Sequence, residues 1–266
     1  MTRVLSGIVL IALAVAAVWL SPAWLFLAVA ELLVVLACHE FAGLAQASEL
    51  PFPTVVSTLA AALVCASFAQ TAFGGTARVP LDVALMTGFV ALGALSLPAW
   101  RGGRDALATA ASAILPCIYF GLPIGALVAI REKAGPQGLF LLMLTVMVSD
   151  SAQYYSGRAF GRRKLAEIIS PKKTIEGAYG GFVFGALVLA VVGAWWLPTV
   201  PVALRLLLGA TIVALGIAGD LFESMLKRSA GVKDSSSLIP GHGGVLDRID
   251  ALLFAAPVYY VVLKYV

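Results

Sequence analysis

Residues 4–30 read VLSGIVLIALAVAAVWLSPAWLFLAVA and contain no Asp, Glu, Lys or Arg. A helix needs about 20 apolar residues to cross the hydrocarbon core of a bilayer, so this stretch is long enough for a membrane span. Because the run is continuous rather than alternating between apolar and polar residues, it favours helices over a transmembrane barrel. Further uncharged runs cover residues 50–77, 83–100, 106–130 and 177–204.

The composition agrees with a membrane location. Of the 266 residues, 61% are hydrophobic and only 12% are charged, whereas a soluble domain has about 25% charged residues. We therefore predict an all-α, polytopic integral membrane protein with about nine transmembrane helices, and a kink at Pro116 or Pro123 within the fifth. The N-terminal run resembles a signal peptide but is long for one, so we expect an uncleaved first helix. The predicted spans are about 4–20, 23–45, 53–73, 80–99, 106–130, 137–156, 175–197, 203–226 and 247–265.

The predicted spans divide into an N-terminal part, 1–130, with about five spans, and a C-terminal catalytic region, 131–266, with cytoplasmic loops at 157–174 and 228–246. Of the 18 Lys and Arg residues, 13 fall at the N-terminus or in connections that follow even-numbered spans. The positive-inside rule then places the N-terminus and both loops in the cytoplasm and the C-terminus outside. That count includes Arg101 and Arg104, while Arg78 falls on the other side.

Carboxylates gather where the eighth span ends and the ninth begins. Asp220 and Glu223 are three residues apart on one helix and so share a face, and Asp247 and Asp250 repeat that spacing. Carboxylates beside basic residues suit Mg²⁺, which is usually bound by one or two carboxylates plus substrate phosphates. Interfacial salt bridges, for example from Glu223 to Lys227, would explain the spacing as well.

Basic residues flank these carboxylates, around a glycine-rich stretch, PGHGG, at residues 240–244. Positive-inside topology or contact with anionic lipid headgroups explains basic residues in a loop, but not the glycines. Glycines let backbone N–H groups approach an anion closely, and His242 could donate to a phosphate or a leaving group. Together these features predict a metal-assisted phosphate site at the membrane surface for a nucleotide and a phosphorylated lipid, and no nucleic-acid partner. The flanking basic residues are Lys172, Lys173, Lys227, Arg228, Lys233 and Arg248.

Residues 224–250, SMLKRSAGVKDSSSLIPGHGGVLDRID, resemble the signature of the phosphatidate cytidylyltransferases, also called CDP-diacylglycerol synthases. The stretches SPKKTIEG (170–177) and GDLFES (219–224) also look like motifs of that family. The resemblance covers about residues 145–266. The matching positions are Ser224, Lys227, Arg228, Lys233, Asp234, Pro240, His242, Gly243, Gly244, Asp247, Arg248 and Asp250.

The resemblance implies transfer of the cytidylyl group of CTP to phosphatidate, with Mg²⁺, a possible second cation such as K⁺, and a homodimer in the membrane. It assigns the metal to Asp220 and Asp247 with Asp250 in support, and Glu223 and Asp234 are further metal candidates. The implied catalytic residues are Asp220, Asp247, Asp250, Lys227, Arg228 and His242. The implied phosphate contacts are the six flanking basic residues together with Ser224, Gly243 and Gly244, and weaker upstream candidates are Asp150, Arg158 and Glu176.

Two other functions are compatible with parts of this pattern. A CTP-dependent lipid kinase, acting on a polyprenol or phytol, would use the same phosphate chemistry. A transporter, the remote alternative, would instead favour charges at the membrane midplane and repeated halves, whereas this sequence concentrates its charge at one face near the C-terminus. The second predicted span carries Glu31, His39 and Glu40, which either have a function or mark the membrane interface, and the sequence leaves both open.

Overall fold

The computed structural model describes residues 2–70, 79–100, 102 and 106–266, and in this part of the chain all regular structure is helical except one two-stranded hairpin. The strands are β1 (Lys164–Ala166) and β2 (Ser170–Thr174). The helices are α1 (Thr2–Leu20), α2 (Ala23–Ala47), α3 (Thr54–Ala66), α4 (Leu81–Ala99), α5 (Ala106–Pro116), α6 (Leu122–Phe160), α7 (Ile175–Trp196), α8 (Val202–Ser229) and α9 (Leu246–Tyr265).

Several helices are long and apolar enough to cross a bilayer. In the described residues five regions meet that condition: Ala23–Ala47, Leu81–Pro98, Ala106–Phe160, Ile175–Trp196 and Val202–Ser229. The prediction of a polytopic helical membrane protein is therefore confirmed. The number of nine spans stays a prediction, because α1 and α3 have shorter apolar segments and α9 begins with charged residues. The end of the third predicted span and Arg78, Arg101 and Arg104 lie outside the described residues.

The helical path between residues 106 and 160 is interrupted twice. After Pro116 the chain forms a π-helical turn, Cys117–Gly121, which is the irregularity that the proline predicted. Pro123 lies at the start of α6, directly after this π-helical turn. Farther on, Gly135 leaves the helical conformation with φ 70° and ψ −179°. The fifth and sixth predicted spans are thus two helical stretches that meet at this glycine.

Contacts between distant residues identify the two ends of the helical bundle. At one end the Ser6 hydroxyl, near the start of α1, donates to the carbonyl of Pro240 at 3.2 Å. At the other end the Arg131 Nε, just before the break at Gly135, donates to the carbonyl of Val18 near the end of α1 at 2.9 Å. The loop that follows α8 and the break in α6 therefore lie at opposite ends of α1.

The C-terminal helices α6 to α9 pack against one another, and glycines allow their close approach. A Cβ placed on Gly185 of α7 would lie 2.4 Å from Val213 of α8. A Cβ on Gly219 of α8 would lie 2.4 Å from the carbonyl oxygen of Asp250 on α9. This second contact brings the acidic end of α8 directly against the acidic start of α9.

The two predicted loops are more ordered than the sequence indicated. Helix α6 continues to Phe160, and the hairpin occupies residues 164–174, so little of the 157–174 segment is irregular. The second loop runs from the end of α8 at Ser229 to the start of α9 at Leu246, close to the predicted 228–246. The helix outlasts its apolar run because backbone i to i−4 hydrogen bonds do not depend on apolar side chains.

Candidate active site

The hairpin delivers a lysine to the end of α8. The hydroxyl of Thr174 accepts the N–H of Gly177 at 3.1 Å and so caps the N-terminus of α7, which fixes the end of β2. Lys173 immediately precedes this cap, and its Nζ lies 2.6 Å from Oδ2 of Asp220. The side chains of Lys173 and Asp220, here called the rim pair, are 20% and 34% exposed. The Ser224 hydroxyl, one turn further along α8, donates to Oδ1 of Asp220 at 3.3 Å.

A second lysine is enclosed by two carboxylates. Lys227 on α8 forms salt bridges with Glu223, one turn earlier, and with Asp247 in the first turn of α9. The three side chains, here called the buried group, are only 9%, 1% and 7% exposed in the order Lys227, Glu223, Asp247. Charges this deeply buried are tolerated only when they are paired. The salt bridge from Glu223 to Lys227 that the sequence allowed is thus present, and Asp247 joins it.

Asp247 is also bound by the loop that precedes α9. Its Oδ2 accepts the N–H of Gly244 at 2.7 Å, the N–H of Ser235 at 3.1 Å and the Ser235 hydroxyl at 2.9 Å. Since Oδ1 already faces Lys227, both carboxylate oxygens are engaged by the protein itself. These contacts fix the loop against α9, and the role of Asp247 as a metal ligand stays a prediction.

Two more carboxylates, one on α6 and one on α9, are electrostatically coupled to Asp220 of α8. Asp150 and Asp250 both interact electrostatically with Asp220. Oδ1 of Asp250 accepts the N–H of Ala251 at 2.8 Å, within its own helix. Like charges held together in this way favour a bound cation, and Asp150, a weaker candidate from the sequence, belongs to this cluster.

The donor set fits Mg²⁺ if the substrate supplies the remaining ligands. Within residues 2–70, 79–100, 102 and 106–266, no three side chains of His, Cys, Asp or Glu come close enough to hold a metal by themselves. Mg²⁺ needs only one or two carboxylates when phosphate oxygens complete its shell. In the same part of the chain, Oε1 of buried Glu223 has no hydrogen-bond partner. This oxygen is therefore a further candidate ligand for the metal.

The glycines of the PGHGG stretch make room for the protein's own carboxylates. Gly241 and Gly243 adopt φ of 77° and 79°, a conformation that favours glycine. A Cβ on Gly243 would lie 2.4 Å from Oδ2 of Asp247, and one on Gly244 would lie 2.4 Å from Oε2 of Glu40. Close approach to an anion is what the sequence indicated. The assignment of Gly243 and Gly244 to substrate phosphate stays a prediction.

His242 lies against α1. Its Nδ1 is 2.9 Å from the Ser6 hydroxyl, and a Cβ on Gly7 would lie 3.5 Å from its Nε2. Both ring nitrogens therefore face the first helix, which is an arrangement suited to fixing the glycine-rich turn. The predicted catalytic role of His242 is not tested by these contacts.

The remaining basic candidates are exposed at the protein surface. Arg228 is exposed, and its Nη1 donates to the carbonyl of Val232 at 3.1 Å, within the loop that follows α8. Their exposure leaves them accessible to a phosphate, and that role stays a prediction. The other exposed side chains in the predicted set are Lys172, Lys233, Asp234, Arg248 and Arg158.

Glu176, the last of the upstream candidates, binds the residues that come just before the hairpin. Its Oε2 accepts the N–H groups of Arg162 at 3.0 Å and Arg163 at 3.2 Å, and its Oε1 lies 3.1 Å from Nε of Arg163. Through these bonds the first turn of α7 fixes the start of the hairpin, and so the strand that carries Lys173.

Sequence reasoning missed the contribution of α2. Glu40 is buried and reaches Ser235 and Ser236 in the loop between α8 and α9, about two hundred residues away in the chain. The available signals were an acidic residue within an apolar span and the serines of the KDSSS stretch. Neither indicated the other as its partner, because nothing local in the sequence relates positions so far apart.

Known proteins resemble this chain over its whole length in one comparison and over about half to two thirds of it in the others. A model of the cytidylyltransferase family matches residues 1–266. The phosphatidate cytidylyltransferase of Haemophilus influenzae is 51% identical over 130 residues, which are 46% of this chain and 45% of that protein. The protein of the same name from Thermotoga maritima is 36% identical over 190 residues, covering 70% and 69%. The one from Pseudomonas aeruginosa is 45% identical over 135 residues, half of each chain.

Proposed function

Because this chain belongs to the cytidylyltransferase family, as the motif at residues 224–250 predicted, we propose that it transfers the cytidylyl group of CTP to phosphatidate. The products are CDP-diacylglycerol, for phospholipid synthesis, and pyrophosphate. The observation that carries the proposal is the rim pair, in which the partly exposed Lys173 lies 2.6 Å from Asp220. The matched relatives, named phosphatidate cytidylyltransferases, support the choice of substrates, although the matches span only about half of two of them.

The reaction needs charge neutralisation more than a strong base. A phosphate monoester has a second pKa of about 6, so the phosphate of phosphatidate is already largely ionised at neutral pH. One of its oxygens forms a bond to the α-phosphorus of CTP, and the bond from that phosphorus to the bridging oxygen breaks. The electron pair leaves with pyrophosphate. Lys173 and the exposed Arg228, Lys233 and Arg248 are suited to binding the anions that must approach one another.

Magnesium is part of the proposal. The proposed ligands are Asp220 and Asp247, with Asp250 in support, and a metal would compete with Lys173 for Asp220 and with Lys227 for Asp247. A bound Mg²⁺ would neutralise phosphate charge and stabilise the departing pyrophosphate. Removing the metal with a chelator should abolish turnover, and adding Mg²⁺ back should restore it.

The side of the membrane and the oligomer are also proposals. We place the hairpin and the loop between α8 and α9 in the cytoplasm, with the end of α9 outside, and we propose a homodimer. Single cysteines at exposed Ile168 and Ser237 should react with an impermeant reagent only from the cytoplasmic side, and one at Tyr265 only from the opposite side. Labelling of all three from one side would contradict the topology, and cross-linking in membranes tests the dimer.

The decisive experiment follows two labels of CTP in purified protein with phosphatidate and Mg²⁺. In-line displacement at the α-phosphorus should carry an α-phosphate label into the lipid product, and a γ-phosphate label should leave as pyrophosphate. Diacylglycerol and polyprenol should be inert as acceptors. Transfer of the γ-label to a lipid alcohol, without α-label transfer to phosphatidate, would instead identify a lipid kinase.

A further inference from the structure

Glu40 is a buried carboxylate that receives hydrogen bonds from four groups of the loop before α9. Its Oε1 accepts the Ser236 hydroxyl and the N–H of Val245, each at 2.8 Å. Its Oε2 accepts the Ser235 hydroxyl and the N–H of Leu246, each at 2.9 Å. The residue is only 3% exposed, and among the described residues no lysine or arginine forms a salt bridge with it. Its charge is therefore balanced by donors of this loop.

These bonds set the position at which α9 begins. Leu246 is the first residue of α9 and Val245 its N-cap, so both donate N–H groups that have no partner within the helix. A carboxylate at this place also interacts favourably with the positive end of the helix dipole. Asp247 lies in this first turn and Asp250 one turn beyond Leu246, so Glu40 fixes the helix that carries two of the predicted site residues.

Ser235 connects Glu40 to the buried group. Its hydroxyl lies 2.9 Å from Oε2 of Glu40 and 2.9 Å from Oδ2 of Asp247, and a hydroxyl has only one hydrogen to donate. The two carboxylates thus share one donor, and a shift of Glu40 changes the bonding of Asp247. Ser236 contacts Glu40 but forms no such bridge in the contacts of the described chain. Substituting Ser235 removes a contact with both carboxylates, and substituting Ser236 removes a contact with Glu40 alone, so Ser236 is the control for Ser235.

Gly244 shows how tightly this arrangement is packed. A Cβ at this position would lie 2.1 Å from the Ser235 hydroxyl oxygen and 2.4 and 2.5 Å from the two carboxylate oxygens of Glu40. Only glycine leaves space for both groups while its N–H donates to Asp247. An interfacial acid that merely faced water would need neither the glycine nor the serines.

We propose that Glu40 of α2 is a positioning residue for the active site, acting through Ser235 and the start of α9 on Asp247 and Lys227. This inference rests on the proposed function for its effect on turnover, but not for its effect on the loop. It gives the N-terminal helices a part in catalysis beyond membrane anchoring, because α2 fixes the loop that contains most of the motif.

The test uses the full chain in detergent micelles and five variants: Glu40→Gln, Ser235→Ala, the double variant of these two, Ser236→Ala and, as control, Glu31→Gln. Glu31 lies on the same helix, and the group beside its carboxylate is the Cys65 thiol of α3, not a donor of the loop before α9. Two quantities are measured for each variant: backbone hydrogen exchange over residues 235–247, and kcat and KM per folded molecule with CTP and phosphatidate.

Glu40→Gln replaces hydrogen bonds to a charged group with weaker ones. We therefore expect backbone hydrogen exchange at Val245 and Leu246 to become faster by about tenfold or more. The same change should lower kcat by about tenfold or more, with KM for CTP within about threefold. Ser235→Ala should reduce kcat strongly, while Ser236→Ala and Glu31→Gln should change it by less than about threefold. Because Glu40 and Ser235 act through one route, the double variant should be little worse than the poorer single variant.

Unchanged exchange in Glu40→Gln would overturn the proposal. So would a normal kcat per folded molecule, equal losses in the two serine variants, or strict additivity of Glu40→Gln and Ser235→Ala. If the wild-type protein made no CDP-diacylglycerol, the proposed function would fail, and the exchange comparison alone would decide whether Glu40 fixes the loop.

Discussion

The rim pair and the buried group use the same chemistry at different depths. Lys173 meets one carboxylate where both side chains keep a fifth to a third of their surface exposed. Lys227 meets two carboxylates, and no member of that group is more than 9% exposed. An exposed pair exchanges easily with water or another anion and contributes little to stability. Removing one partner of a buried pair instead leaves a charge without compensation.

The difference assigns distinct tasks to lysines that the sequence treated alike. Lys227 is bound to Glu223 and Asp247 and so links α8 to α9, and its predicted phosphate contact stays a prediction. Lys173 has one carboxylate partner and is more exposed, so exchange of Asp220 for a phosphate oxygen is less costly there. Four substitutions test this contrast, and the first is expected to have the largest effect.

Lys227→Met should have the largest effect, on folding itself. Without the ammonium group, Glu223 and Asp247 remain buried as two unpaired carboxylates, and the loss is about 3–5 kcal/mol of unfolding free energy. Thermal unfolding in detergent measures it. The matched control, Lys173→Met, should cost about 0–1 kcal/mol, as expected of an exposed pair. Equal destabilisation by both variants would mean that depth does not distinguish the two lysines.

Asp247→Asn should lose nearly all activity, about a hundredfold or more, which corresponds to about 2.7 kcal/mol of transition-state stabilisation. An amide NH₂ in place of Oδ2 would face the N–H groups of Gly244 and Ser235, donor against donor. Initial rates at several Mg²⁺ concentrations are the measurement, and added metal should rescue the variant only in part. Activity near that of the wild type at ordinary Mg²⁺ would remove Asp247 from the site.

Lys173→Met should reduce kcat/KM for CTP by about ten- to a hundredfold, the range expected for a lost hydrogen bond to a charged group. Because the fold tolerates the change, the unfolding midpoint stays near that of the wild type. Steady-state kinetics beside the unfolding measurement test both statements. A loss of stability with normal kinetics in the surviving protein would assign Lys173 a structural role.

Ser224→Ala should have the smallest effect. Its hydroxyl makes one bond of 3.3 Å to Asp220 in the rim pair, so kcat/KM should fall by about two- to tenfold with no change in stability. The comparison variant is Ser229→Ala, since that hydroxyl donates to the carbonyl of Leu226 and not to a site residue. Equal kcat/KM in the two variants would show that the hydrogen bond from Ser224 to Asp220 does not contribute to the reaction.

Much of the fold was readable from the sequence because the bilayer limits the possibilities. Uncharged runs of about 20 residues predict helices whatever their neighbours are, and α2, α4, α7 and α8 begin and end within a few residues of the predicted positions. The hairpin at residues 164–174 was missed, since SPKKT has no alternating pattern and its strands are only three and five residues long. The break at Gly135 was expected only as a gap between two spans.

The class of protein, the family motif and the candidate residues could be read from the sequence, because composition and a run of spaced polar positions are local properties. Which charges meet could be read only from the packed structure. It paired Lys173 with Asp220, enclosed Lys227 between two carboxylates, and brought Glu40 to a loop about two hundred residues away. The physical reason is that burial and pairing depend on how α2, α8, α9 and the hairpin pack together, and no spacing along the chain encodes that distance.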